Sequence, residues 1–282
     1  MDGNGQLAIE IQRSVAQALA EDVGRGDLTA QLIDAGRHAR GGVVSREDAV
    51  LCGTAWFDAT FKILNPASRI EWTRKDGDRV GSGDLLCVVD ADARTLLTAE
   101  RTALNFLQLL SATASVTRRF ADAVAGTRAK IVDTRKTLPG LRLAQKYAVR
   151  TGGGANHRFG LYDGILIKEN HIIAAGGIAP AMQRARALAA SDVFIQIEVE
   201  NLTQLNEALA AGASMILLDN MDLAQMREAV EITAGRAELE ASGGVDLNAV
   251  RAIAETGVDR ISIGSLTKNV RAVDLSLRHF ED

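Results

Sequence analysis

Between Asp133 and His171 the chain reads DTRKTLPGLRLAQKYAVRTGGGANHRFGLYDGILIKENH, with seven Arg or Lys and two His against three acids. The whole protein of 282 residues is mildly acidic, with 32 basic and 36 acidic residues and a formal net charge of -4. Pooling positive charge in one Gly-rich segment suits capture of a small, strongly anionic ligand. Within it, Arg135 and Arg158 supply planar forks that match carboxylates, whereas Lys168 supplies a mobile point charge that matches phosphate oxygens. His157 follows the polar run GGGAN, which predicts a ring near an exposed loop. Arg142, Lys146 and Arg150 recur at helical i, i+4 spacing and read as a solvated or subunit-facing stripe rather than as part of the pocket.

A second set of residues closes a series of short apolar runs. AKIVDT is followed by Arg135 and Lys136, and GILI by Lys168. FIQIEVE carries Glu198 and Glu200, and MILLDN ends in Asp219 and Asn220. LEAS leads into Ser242, Gly243 and Gly244, and RISIG into Gly264 and Ser265. If these runs are parallel strands of a βα barrel, their carboxyl ends converge on one pocket. Glu198 and Asp219 stand 21 residues apart, about one βα unit, so they sit on neighbouring strands. Such a carboxylate pair could hold Mg²⁺ or accept hydrogen bonds from ribose hydroxyls. Local capping or ion pairing accounts for strand-end acids equally well. The two Gly-rich ends offer backbone N–H groups that can cradle a phosphate, although each by itself is only a turn signal.

The elements that must position these groups fall into two textures. Apolar residues make up 47% of the chain and aromatics only 4%, so Ala, Leu, Ile and Val fill the interior, as in α/β proteins. The first part predicts a helix over 7–21, strands at 41–44, 69–73 and 85–89, and a helix in EDAVLCGTAWFDATF, together a compact α+β module. A long helical pattern over 96–124 bridges to the second part and predicts a break near Ser111–Ser115. Beyond Gly126 six strand-like runs alternate with helical segments such as 201–211, 222–232 and 246–255. Six units are too few for a closed eight-stranded barrel with full helices, so an open or incomplete barrel is expected. A doubly wound sheet is the rival, but no GxGxxG opens a helix after the first strand.

Cys52 and Cys87 have no CxxC spacing and read as reduced core thiols, in keeping with a cytoplasmic location. The acidic total excludes a broad nucleic-acid surface. The N-terminus has no signal-peptide pattern and no apolar run reaches bilayer length, so no membrane partner is expected.

These blocks together resemble the quinolinate phosphoribosyltransferase family. GDLT (26–29), AERTALNFLQLLSATAS (99–115), DTRKTLPGLR (133–142), KYAVRTGGGANHRFGLYDGILIKENH (146–171), EVE (198–200), LDN (218–220), EASGG (240–244) and GVDRISIGSLTK (257–268) all carry the likeness. The most specific part is DTRKT followed by GGGxNHRxGLxD and IKxNH. The resemblance implies an α/β protein with an N-terminal α/β sandwich domain plus an incomplete α/β barrel, type II phosphoribosyltransferase-like. The domains would be 1–112, joined by the tail 270–282, and 113–269. It implies a homodimer whose active sites are shared across the interface. It also implies the activity of the decarboxylating enzyme of NAD biosynthesis, with quinolinate and 5-phosphoribosyl-1-pyrophosphate as substrates and Mg²⁺ as cofactor. Carried over, quinolinate would meet Arg135, His157, Arg158 and Lys168, with Arg101 reaching in from the partner. Lys136 and Lys168 would lie near the phosphoribosyl pyrophosphate. Glu198 and Asp219 would hold the ribose and the metal, and Ser242, Gly243, Gly244, Gly264 and Ser265 would surround the 5′-phosphate.

The chain departs from the family pattern in two places. Residues 111–115 read SATAS where members usually have SGIAT, and 267–269 read TKN where many have THS or TKH, so Lys268 replaces a common His. Three other readings compete. One is a paralogue of the kind associated with molybdate transport, against which Asn156–His157–Arg158 and DTRKT speak. Another is a sugar-phosphate lyase or isomerase, which leaves the Arg and His residues without a second anion. The third is a non-catalytic nucleotide-binding dimer, which predicts no metal at the strand-end acids and no CO₂ release.

Overall fold

The computed structural model describes residues 3–280. Positions 1, 2, 281 and 282, at the ends of the expected domains, lie outside the described residues. In chain order the first elements are α1 (Gly3–Val23), β1 (His38–Ser45), β2 (Ala49–Val50), α2 (Thr54–Leu64), β3 (Arg69–Trp72), β4 (Arg79–Val80), β5 (Leu85–Asp92) and α3 (Ala93–Ala123). There follow β6 (Lys130–Val132), α4 (Arg142–Thr151), β7 (Gly164–Ile167), α5 (Glu169–Ala175), α6 (Ile178–Leu188), β8 (Phe194–Val199), α7 (Leu202–Ala210) and β9 (Met215–Asp219). The last are α8 (Leu223–Thr233), β10 (Glu238–Ser242), α9 (Val250–Ala254), β11 (Arg260–Ser262), α10 (Ser265–Lys268) and β12 (Leu275–His279). Contacts group these into two units, residues 1–118 with 138–153 and 267–282, and residues 119–137 with 154–266.

The first unit is built on an antiparallel sheet in the order β12-β1-β5-β3. Val43, Leu86, Val89 and Ala91 face a core completed by Phe57, Phe61, Leu96, Leu104 and Leu107. Ile11, Val15 and Leu19 recur at i, i+4, i+8 on α1 and bury against Trp56, Phe106 and Leu110. The helix expected from Glu47 onward starts only at Thr54. Ala49 and Val50 instead pair with Val80 and Arg79 as β2 and β4. Gly53, at φ 107°, turns the chain into α2, a conformation that glycine reaches without strain.

Two further expectations change. The break near Ser111–Ser115 is absent, and α3 runs unbroken for 31 residues. The small hydroxyl residues turn to local bonds rather than interrupting the helix. Ser115 Oγ donates to Ser111 O at 2.6 Å and accepts from Val50 N at 2.7 Å, while Ser111 Oγ accepts from Cys52 N at 2.9 Å. By contact, residues 138–153 group with the first unit. Ala144 and Ala148 of α4 pack in the Trp56 cluster, so this helix belongs to the first unit. Its Arg142–Lys146–Arg150 stripe is solvated only in part, because Arg150 is exposed and Arg142 half-buried but Lys146 is 0% exposed. Cys52 and Cys87 are buried free thiols that burial pushes well above the ordinary thiol range.

The second unit is a six-stranded parallel sheet in the order β6-β11-β10-β9-β8-β7. From β7 to β11 each strand lies beside its chain neighbour, and β6, the first strand of the unit, returns to lie beside β11. That cyclic order, with β6 and β7 both left as edges, is an incomplete α/β barrel, as the count of six strands leads one to expect. All six expected strands are present. Of the expected helices, 246–255 is reduced to the five residues of α9.

Candidate active site

Because every strand of the barrel runs parallel, the residues that follow them share one rim. Ile167 pairs with Ile197, so Lys168 comes level with Glu198, and its Nζ donates to Glu198 Oε2 at 2.8 Å. Ser242 is the register partner of Asp219 on the neighbouring strand. Beyond β9, Asn220 takes a left-handed φ of 53°, donates from Nδ2 to Asp219 Oδ2 at 2.8 Å and from its backbone N to Ser242 O at 3.0 Å. Gly243 follows at φ 111° and Gly244 at φ 56°. A Cβ on Gly243 would run into the Asn220 carboxamide, so both the dihedral and the space demand glycine there. A Cβ on Gly264 would lie 3.1 Å from Lys136 Cδ, which places the Lys136 stem across the Gly264 backbone. The Gly-rich ends and the two lysines therefore belong to one rim.

The paired guanidiniums come from two loops. Arg135 lies three residues beyond the end of β6, and Arg158 sits in the loop before β7, where its Nη1 donates to Gly164 O at 2.9 Å. Burial, and next the neighbouring Arg135 cation, hold Arg158 below its ordinary pKa, with Asp163 opposing them. Two cations from these loops, one of them partly desolvated, are poised for a polyanion. Asp163 shapes the loop by accepting from Phe159 N at 2.7 Å and Gly160 N at 2.8 Å. At the far end, His171 Nδ1 accepts from Lys168 N at 2.9 Å and caps α5.

The residue beneath this loop is one that sequence reasoning missed. Asp133 is 0% exposed and accepts from His157 N at 2.9 Å and from Asn156 Nδ2 at 2.6 Å. The first Asp of DTRKT is thus the anchor that lays the NHR segment onto the end of β6. His157 also differs from expectation. Its ring is 8% exposed rather than near an open loop, lies edge-on to Phe194, and has both nitrogens engaged by protein. Nε2 lies 2.7 Å from Gln196 Oε1, and Nδ1 accepts from Arg158 N at 2.7 Å. The ring therefore supports Arg158 from below rather than presenting a nitrogen to the rim. Gln196 and Glu240 were missed as well, although each lies two residues before a residue singled out on the same strand face, Glu198 and Ser242.

Arg101 lies on α3 in the first unit and is exposed. Lys268, also exposed, closes α10. Among the described residues no group of three or more His, Cys, Asp or Glu could hold a metal. The rim offers two carboxylates on adjacent strands, Glu198 and Asp219, each already hydrogen bonded. That donor set does not form a protein cage. It fits Mg²⁺, which keeps several waters and is completed by substrate phosphates.

Two family models match the chain. One, described as quinolinate phosphoribosyl transferase, N-terminal domain, covers residues 27–111, and the other, the C-terminal domain of the same family, covers 113–278. The chain is 44% identical over 274 residues to nicotinate-nucleotide pyrophosphorylase (carboxylating) of Mycobacterium leprae, spanning 94% of this chain and 95% of that protein. It is 40% identical over 269 residues to the probable enzyme of the same name from Bacillus subtilis, spanning 95% and 93%. Among solved structures, the nicotinate-nucleotide pyrophosphorylase from Francisella tularensis matches with a TM-score of 0.94 at 44% identity, over 97% of both chains.

Proposed function

The chain belongs to the quinolinate phosphoribosyltransferase family, and from that membership we propose how its rim residues share the work. The enzyme is a pentosyltransferase, a carboxylating nicotinate-nucleotide pyrophosphorylase of NAD biosynthesis. It joins quinolinate to 5-phosphoribosyl-1-pyrophosphate and yields nicotinate mononucleotide, pyrophosphate and CO₂. The ring nitrogen attacks the anomeric carbon as the C–O bond to pyrophosphate breaks, so positive charge develops on the ribose and negative charge on the leaving group. The resulting pyridinium accepts the electron pair left when the 2-carboxylate departs as CO₂, and a proton then replaces it at that carbon.

Arg135 and Arg158 hold the two quinolinate carboxylates, and the observation that carries this reading is the Asp133 anchor, two residues before Arg135, which ties the Asn156–His157–Arg158 segment to the end of β6. Lys136 and Lys168 face the pyrophosphate, where fixed positive charge stabilises the leaving group. Glu198 steadies the Lys168 ammonium and, with Asp219, meets the ribose, whose developing positive charge a carboxylate tolerates. Glu198 and Asp219 are also the residues that would hold Mg²⁺, which supplies charge neutralisation on the phosphate oxygens when bound. Ser242, Gly243, Gly244, Gly264 and Ser265 receive the 5′-phosphate, supported by the left-handed glycines after β10. His157 acts from beneath Arg158.

Arg101 reaches a partner's site in a homodimer. Thr98 Oγ1 donates to Asp27 Oδ2 at 2.9 Å, tying the 27–32 segment to the turn of α3 that carries Arg101. Leu28, Leu32 and Leu97 are exposed, as expected of surface that a second copy covers. A cytoplasmic setting is supported by the two buried thiols. Among the described residues no helix is long and apolar enough to cross a membrane.

Incubation with quinolinate, phosphoribosyl pyrophosphate and Mg²⁺ is expected to release CO₂ and nicotinate mononucleotide in equal amounts. Nicotinate in place of quinolinate is expected to give no CO₂ and little nucleotide. Product formation from nicotinate at a comparable rate would refute the carboxylate assignment. Gly243→Ala tests the phosphate end. Strain at φ 111° and the collision with Asn220 are expected to raise the phosphoribosyl pyrophosphate KM about tenfold and to lower Tm by several degrees. An unchanged KM would remove Gly243 from that role.

A further inference from the structure

Inside the barrel, Arg260, Glu240, Gln196 and His157 follow one another as a polar chain beneath Arg158. Glu240 is 1% exposed and Gln196 0% exposed, so each hydrogen bond here is made away from water and its direction matters. Gln196 Nε2 donates to Glu240 Oε2 at 3.1 Å, and His157 Nε2 lies 2.7 Å from Gln196 Oε1. The opposite ring nitrogen, Nδ1, accepts the backbone N–H of Arg158 at 2.7 Å. Arg260 Nε lies 3.3 Å from Glu240 Oε2 as an ion pair without hydrogen-bond geometry.

The directions in this chain are not interchangeable. A backbone N–H can only donate, so Nδ1 carries no proton and the ring proton sits on Nε2. Nε2–H must meet an acceptor, which orients the Gln196 amide with its oxygen toward the ring and its NH₂ toward Glu240. An ionised carboxylate can only accept, and that closes the sequence at its lower end. Arg260 is the cation that faces this carboxylate. A neutral amide at position 240 could donate as well as accept, so Gln196 could turn over, Nδ1 could take the proton, and two donors would then face each other at Arg158 N.

We propose that Glu240 is a positioning residue for Arg158, acting through Gln196 and His157. Its charge sets one direction of hydrogen bonding across the barrel, and that direction fixes the backbone from which the Arg158 fork reaches quinolinate. The proposal rests on the assignment of Arg158 to quinolinate.

The test uses the full-length enzyme with nitrogen-15 in its four histidines, the His157 ring being identified by its loss in His157→Asn. The wild type is expected to show a neutral His157 ring protonated at Nε2. Glu240→Gln is expected to populate the Nδ1-protonated ring and to raise the quinolinate KM about tenfold, the loss of one well-placed hydrogen bond. The phosphoribosyl pyrophosphate KM should stay within about twofold, since the rim lysines and glycines are untouched. Gln196→Met, which keeps the Glu240–Arg260 pair, is expected to do the same and serves if Glu240→Gln does not fold. A wild-type ring protonated at Nδ1 overturns the proposal. So does a changed tautomer with an unchanged quinolinate KM, or a rise in both KM values with the tautomer intact, which is what a purely structural role predicts. Arg158→Ala is run alongside. If it leaves the quinolinate KM unchanged, the carboxylate assignment has failed, whereas the tautomer readout judges the hydrogen-bond chain by itself.

Discussion

Arg135→Ala is expected to lower kcat/KM for quinolinate by about a thousandfold, because truncating one side of a desolvated, hydrogen-bonded charge pair costs about 2–5 kcal/mol. Most of the loss falls on KM, since the carboxylates are bound in the ground state as well as in the transition state. Arg158 cannot take over. Its Nη1 is already committed to Gly164 O, and one fork cannot satisfy two carboxylates on a rigid ring. Losing the neighbouring cation also lets the Arg158 pKa rise toward its ordinary value, but that restores no lost donor. Arg135→Lys keeps the charge without the planar fork and is expected to fall between the two, about tenfold to a hundredfold below wild type. Steady-state kinetics at saturating phosphoribosyl pyrophosphate read the effect, with a thermal melt to show that the fold is intact. Turnover and KM near those of the wild type would sink the assignment.

Asp133→Asn is expected to damage stability and activity together. The carboxylate uses one oxygen for His157 N and the other for Asn156 Nδ2, in a site with no solvent access. An amide must turn its NH₂ toward one of these two donors, so a buried donor loses its acceptor and a charged hydrogen bond is lost with it. We expect about 3 kcal/mol of destabilisation, or a Tm lower by about 6–12 °C in a chain of this size. The segment Asn156–His157–Arg158 is then no longer held to β6, and kcat/KM for quinolinate is expected to fall about a hundredfold in the folded fraction. Calorimetry with kinetics on the same preparation checks both. A Tm within a degree of wild type would show that Asp133 does not anchor the loop.

Much of the barrel was legible in the residues. The six apolar runs are short and continuous because both faces of a parallel strand are buried, and that texture survives without any tertiary information. The polar residue after each run marks the carboxyl end of a strand, so Lys168, Glu198, Asp219, Ser242 and Gly264 were found from their positions alone. The interior layer beneath them was not. Gln196 and Glu240 sit inside apolar runs, where a polar residue reads as an interruption until the strand alternation and the register put it opposite His157.

The first unit was less legible for a different reason. An amphipathic stripe states that a face is covered, not what covers it. Lys146 sits on a helix with ordinary i, i+4 charge spacing, yet α4 packs its Ala144 and Ala148 into the Trp56 cluster and Lys146 is buried with them. Ser111 and Ser115 look like helix breakers until their hydroxyls are seen serving Cys52 N and Val50 N. His157 shows the same limit within the site, since the Gly-rich residues before it promise exposure and Asp133 draws the segment inward.

By itself the sequence determined the chemical inventory: cations in one segment, acids and glycines at strand ends, and a strand count too small to close a barrel. Those follow from residue type and local period, which need no partner. Only the tertiary structure decided that Asp133 draws the His157 backbone to the end of β6, that Glu198 holds Lys168, and that His157 turns its ring toward Gln196. Each of these depends on which residues meet across strands tens of residues apart, and register and long-range packing, not local propensity, settle that.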